Sequence, residues 1–234
     1  YLDRIQDILD IIEITQEEFT ANIHSLHSME YVEIKSERVA RISDQCLSNY
    51  MLYYVFFEKR LIAFSDVLRV GFWKYKKSTI KSVDILLNVF YSDKMKDYLT
   101  EEISKVWEEL KTDDKAFGEF VRAFHIFKPE ESLLYVSEKI EQAESVAIDI
   151  NLLEDEEKKW NVDIRDSILQ LLDGYKKDCG LIEAIELAVR YCMKRQDAVK
   201  LVYSLFKSYY SIDKHSYYED YYVQNLIIDK IREN

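Results

Sequence analysis

The sequence has almost no helix breakers: 4 glycines and 1 proline in 234 residues, against roughly 7% and 5% in average proteins. A sandwich of short strands needs turn residues at every corner, and an α/β nucleotide-binding core needs a glycine-rich turn under the phosphates. Four glycines supply neither, and no GxxxxGK[ST], GxGxxG or GxSxG occurs. Three cysteines, Cys46, Cys179 and Cys192, form no CxxC pair and leave one over in any disulfide scheme, so they read as reduced thiols of a cytoplasmic protein. The longest apolar run, "YMLYYVFF" at 50–57, falls well short of the roughly 20 residues a bilayer requires. Basic residues are outnumbered, 32 against 44 acidic, for a net charge of −12. Such a surface repels phosphate backbones, and the one basic run, "KYKKSTIK" at 74–81, reads as a solvated helix entry.

What is present is apolar and charged material: 48% hydrophobic, 14% aromatic and 32% charged, with 18 tyrosines. With so few breakers this predicts a mainly α chain of packed helices joined by short polar connections. "YLDRIQDILDIIEI" opens in helical rhythm without an initiator methionine, as a piece of a longer polypeptide would, and predicts a helix over 2–12. Thr15 followed by Glu18 is a capping-box pattern for the next helix. "YVEI", "KSER" and "VARI" (31–42) then alternate as strand, turn, strand. Two such short strands are marginal alone and must pack on neighbouring helices. Ser43-Asp44 is the N-cap signal for the following helix.

Helix, helix, hairpin, helix is the outline of a winged-helix module, expected over 1–62, with the hairpin as its wing. Beyond it every signal is helical, which predicts an irregular α-solenoid over 63–234. Ser65 reads as the cap of a helix over 66–75, a second helix follows over 78–91, Ser92-Asp93 reads as the next cap, Pro129 as a first-turn proline, and Gly180 as a left-handed terminator. The polar segment 149–162 reads as a long loop.

No catalytic constellation emerges. His24 and His27 stand three apart without an HExxH pattern or a third histidine, and read as ordinary helix polar residues. His125 reads as a half-buried, satisfied histidine and His215 as a turn residue. "LEDEEKK" at 153–159 lacks the spacing and the glycine of a calcium loop. No metal site is therefore expected. Tyrosine keeps a buried ring and a wet hydroxyl, a combination enriched at interfaces. Tyr50, Tyr53 and Tyr54 form one cluster. Tyr209, Tyr210, Tyr217, Tyr218, Tyr221 and Tyr222 form a second, for which a protein interface is the functional expectation.

The stretch "ARISDQCLSNYMLYYVFFEKRLIAFSDVL" (40–68), with "LHSMEYVEI" before it and "FKPEESLLYVSEKI" and "SYYEDYYVQNLIIDKI" after it, resembles the region that follows the ATPase core in bacterial STAND-type NTPases. In that family a winged helix closes onto the nucleotide-bearing core and a helical-repeat array follows. The resemblance implies a non-catalytic regulatory and ligand-sensing fragment of a cytoplasmic, antiviral ATP-binding protein. Its implied partners are its own upstream ATPase core, a protein trigger and further copies on activation. ATP or ADP and Mg would sit on the core rather than here. The family's Met-His-Asp triplet falls on Ile42-Ser43-Asp44, so Ser43 and Asp44 are the nucleotide-proximal candidates, although Ser43 replaces the histidine and Ser-Asp is also an ordinary cap.

Two other readings compete. One is a winged-helix DNA-binding regulator with a helical dimerisation domain, but its recognition helix, 16–29, holds no Arg or Lys and carries Glu17 and Glu18; Lys35, Arg38 and Arg41 would have to make the backbone contacts. The other is an all-helical enzyme with a site between helices, which would require perturbed carboxylates in a deep pocket.

Overall fold

The computed structural model describes residues 5–36, 39–148, 162–176, 180–211 and 221–233. They are mainly helical, with one two-stranded antiparallel sheet among them. The loop expected over 149–162 lies almost wholly outside them. No described helix is long and apolar enough to cross a membrane. The chain divides between Phe117 and Gly118 into two compact units, so residues 63–117 fall in one unit with the hairpin.

The first unit begins with α1 (Gln6–Ile11), within the helix expected over 2–12, of which residues 2–4 lie outside the described residues, and α2 (Gln16–Ser28). The capping box forms as written: Thr15 Oγ1 accepts from Glu18 N, and Glu18 Oε2 accepts from Thr15 N at 2.8 Å. Strands β1 (Val32–Lys35) and β2 (Val39–Ile42) pair in register Val32 to Ile42. Helix α3 (Gln45–Tyr53) is capped by Asp44, whose Oδ1 accepts from Leu47 N at 2.7 Å, and runs into a π-helical turn at Tyr54–Glu58.

Two expectations for the next stretch change. Ser65 is not a cap: α4 (Phe64–Val89) begins before it, with Ala63 at the cap position. The early N–H groups of a helix need acceptors, and this one is served from afar, because buried Glu102 of α5 (Asp93–Leu110) accepts from Ser65 N at 2.9 Å. The two helices expected over 66–75 and 78–91 are joined into α4, yet the backbone breaks at Tyr75 (φ −131, ψ 36). The break is sharp. A Cβ on Gly71 would lie 3.2 Å from Thr79 Oγ1, eight residues on, whereas a straight helix would separate them by about 12 Å. Glycine permits that approach.

The core of this unit is apolar and aromatic. Along α5, Met95, Leu99, Ile103, Val106 and Trp107 recur at helical spacing and are buried, each contributing about 1.5–3 kcal/mol by removal from water. Phe64 packs edge-on to Phe56 at 5.2 Å, and Trp107 edge-on to Phe117 at 5.3 Å. Arg69 grips Glu109 through two bonds of 2.9 and 2.7 Å.

The boundary between units falls inside α6 (Asp114–Phe124), which a short 3-10 turn (His125–Phe127) follows. Then come α7 (Pro129–Gln142), α8 (Ser167–Asp173), α9 (Leu181–Lys194), α10 (Val199–Ser211) and α11 (Tyr222–Glu233). Pro129 takes a first-turn position in α7, as its missing N–H allows. Helices α7 and α9 lie side by side and run the same way. Leu133 meets Gly180 near the start of both; farther on, Glu141 accepts from Arg190 at 2.5 Å and its carbonyl from Lys194 at 2.5 Å. Helices α8 and α10 are likewise parallel: Val162 N donates to Ser204 Oγ at 3.1 Å, Ser208 to Asp173 at 2.5 Å and Tyr209 to the Leu172 carbonyl at 2.8 Å. Each helix thus touches the one two places along.

Candidate functional site

Alternation places Val32, Ile34, Ala40 and Ile42 on one face of the hairpin and Glu33, Lys35, Val39 and Arg41 on the other. Arg41 Nε donates to Glu33 at 2.9 Å and holds that carboxyl below its ordinary range. The turn residues Glu37 and Arg38 lie outside the described residues. His27 Nδ1 donates to the Val32 carbonyl at 2.7 Å, fastening α2 to β1, so this nitrogen has a structural task. Among the described residues no three His, Cys, Asp or Glu side chains gather closely enough to hold a metal ion.

Ser43 and Asp44 sit where the hairpin meets α3, and both are already engaged. Ser43 N donates to the Tyr31 carbonyl at 2.9 Å and its hydroxyl to the Glu30 carbonyl at 2.8 Å. Asp44 caps α3. The pair closes the hairpin and starts the helix, and both side chains are at the surface.

This module buries little of its own apolar surface. From Asp10 through Val55, Val32 alone among the described residues is buried. Met29 is 57% exposed and Val39 51%, with Tyr31, Tyr50 and Met51 also open to solvent. Tyr53 and Tyr54 of the first tyrosine cluster are half-buried, and the Tyr53 ring stacks on Phe90 at 4.6 Å. Val39 lies on the hairpin face with Glu33, Lys35 and Arg41, so the exposed apolar side chains are interleaved with charge.

The second tyrosine cluster separates. Tyr209 is in the core of the second unit, 2% exposed, and its hydroxyl is spent on the Leu172 carbonyl. Burial raises its pKa far above the ordinary tyrosine value. Tyr210 is half-buried, with burial and neighbouring Tyr203 raising its hydroxyl. Tyr221 and Tyr222 are exposed at the start of α11, Tyr221 at positive φ (55°). Tyr217 and Tyr218 lie outside the described residues, as does His215.

His125 places its ring 5.0 Å from that of Tyr175, and its Nε2 is buried without a hydrogen-bond partner, so it is half-buried as expected but not fully satisfied. Burial raises the Cys192 thiol, which keeps it protonated and unreactive.

Sequence reasoning missed the groove between α7 and α9, a cavity of about 530 Å³ whose lining includes Leu133, Leu134 and Leu187 with Glu130, Glu183 and Glu186. The i, i+4, i+5 spacing of Pro129, Leu133 and Leu134 in α7 was the available signal, but nothing local pairs it with α9. No protein-family model matches the chain, and no curated protein or solved structure matches it.

Proposed function

We propose that this chain is the regulatory and ligand-sensing part of a larger STAND-type NTPase, itself without catalysis, coupling recognition of a protein trigger to the nucleotide state of an upstream ATPase core. The observation that carries this reading is the under-buried hairpin module. Among the described residues of 10–55 only Val32 is buried, so in this reading α2, the hairpin and α3 gain much of their stability by docking on something else. In the proposed resting state that cover is the core, which holds ATP or ADP with Mg, and the wing rests against it. Ser43 and Asp44 are then the residues nearest the nucleotide. The parallel pairs α7 with α9 and α8 with α10 are consistent with an α-solenoid, and in this reading the second unit supplies the sensing surface. A trigger shifts the balance between docked and released wings only by its differential affinity for the two. On release, further copies associate through the freed faces, with the exposed Tyr221 and Tyr222 and neighbouring Tyr210, Tyr217 and Tyr218 at a protein interface; the cytoplasm is the proposed setting. The DNA-binding alternative gains nothing from this geometry, since Glu17 and Glu18 are exposed on the helix that would read the groove.

The test is reconstitution. The segment encoded just upstream is expected to carry a phosphate-binding loop and an acidic Walker B strand. Expressed separately, it is expected to bind this chain. Met29→Asp with Val39→Asp should weaken that complex at least tenfold while leaving the thermal midpoint of the chain unchanged. An upstream segment without those motifs, or a complex indifferent to both substitutions, overturns the reading.

A further inference from the structure

The parallel pairing of α7 and α9 leaves a furrow along their first turns. Its floor is apolar: Leu187 is buried there, while Leu134 is 61% exposed. Its rim is acidic, with Glu130 and Glu183 one from each helix and Glu186 one turn on. The cations nearest in sequence are committed elsewhere: Lys128 to Glu131 at 3.2 Å, and Arg190 and Lys194 to Glu141. Lys230 reaches Glu186 at 3.6 Å but holds Glu233 more closely, at 2.8 Å. Among the described residues neither Glu130 nor Glu183 has an ion-pair partner. Glutamates in a first helical turn favour the positive end of the helix, which accounts for Glu130 and Glu183 singly. It does not account for an exposed leucine sharing one groove with carboxylates from both helices.

We propose that this furrow is a docking site for a segment of a partner protein bearing an apolar anchor flanked by lysine or arginine. The anchor fills the volume over Leu133, Leu134 and Leu187, a volume within the range of about 300–1,000 Å³ that pockets use for compact groups. The flanking cations meet the carboxylates of the two helices. An acidic or neutral segment would leave those carboxylates facing like charge or losing water without a partner. The whole chain, at −12, reinforces the choice of sign. As an account of the trigger, the inference rests on the sensing role proposed above; as an account of binding, it rests on the groove alone.

A fluorescein-labelled twelve-residue peptide, KLLKKLLKKLLK, titrated into the intact chain and followed by anisotropy, tests it. Saturable binding is expected, weakening as salt rises, while the same peptide with glutamate in place of lysine stays free. Glu130→Lys with Glu183→Lys, and separately Leu134→Asp, should each weaken binding at least tenfold; all three positions are at the surface, and circular dichroism checks that the helices persist. Asp84→Lys with Asp97→Lys, exposed positions of the first unit, changes the overall charge equally and should alter affinity less than twofold. Binding that falls as much in the distal variant as in the groove variants, or that survives both groove variants, overturns the proposal. The reconstitution with the upstream core is untouched by that result, so the two ideas fail separately.

Discussion

Glu102 is 4% exposed, and it fills the role that Ser65 has in the sequence pattern. Burial pushes its pKa up, but Lys105, at 2.5 Å, and the Ser65 groups outweigh this and hold the carboxyl below its ordinary value. A carboxyl depressed in the folded state contributes stability that is complete above the unfolded pKa and is lost as pH falls through the folded one. Glu102→Ala should therefore cost about 1–3 kcal/mol at neutral pH, the penalty of a buried N–H left unpaired. The difference from wild type should shrink as pH falls below the ordinary glutamate range, measured by urea unfolding across pH. Tyr209→Phe removes one buried hydroxyl bond and should cost about 0.5–1.5 kcal/mol in the same assay, whereas Tyr222→Phe, at an exposed ring, should cost nothing measurable. Local caps such as Thr15 with Glu18 are legible in sequence because donor and acceptor lie within one turn. Glu102 serving Ser65 is not legible, since 37 positions separate them and only packing of α5 on α4 joins them. Tyrosines are ambiguous for a similar reason: composition placed Tyr209 beside Tyr222, and only the tertiary structure sends one inward.

The hairpin was the most legible element, because period-two alternation fixes both faces and the polar turn fixes the register. Its boundaries, Val32–Lys35 and Val39–Ile42, lie within the expected stretch. Proline and serine signals likewise mark the starts of α7 and α5, where Ser92 Oγ accepts from Met95 N. The Tyr75 break was half legible: the pattern called for two helices, but not for a fold-back tight enough to need Gly71. Asp44→Ala should lower stability by about 1 kcal/mol, the usual worth of an N-cap, read as a fall in the thermal midpoint. Gly180→Ala should be worse, at about 1–3 kcal/mol, because φ is +122° and the added carbon would stand 3.1 Å from Tyr175 and 3.2 Å from Leu133. The same assay checks it.

Across the whole molecule, burial is uneven. Amide exchange should run fastest in α2 and the hairpin, where Val32 alone among the described residues is buried, and slowest in α5, α9 and α10, which carry the interior. Exchange followed by mass spectrometry checks this ordering, and under the proposed function a bound upstream core should slow the hairpin first. A predominance of helix could be read from the scarcity of breakers. The division at Phe117 could not, because Phe56 meeting Phe64 and Phe57 meeting Tyr98 at 5.8 Å are facts of tertiary proximity. The alternate-helix contacts in the second unit carry a consequence for how such a chain grows. Removing α8 alone would turn α9 end for end against α7, whereas removing α8 and α9 together would bring α10 up beside α7 with its direction preserved. Among these four helices, then, the sense of packing would survive the loss of a pair but not the loss of one.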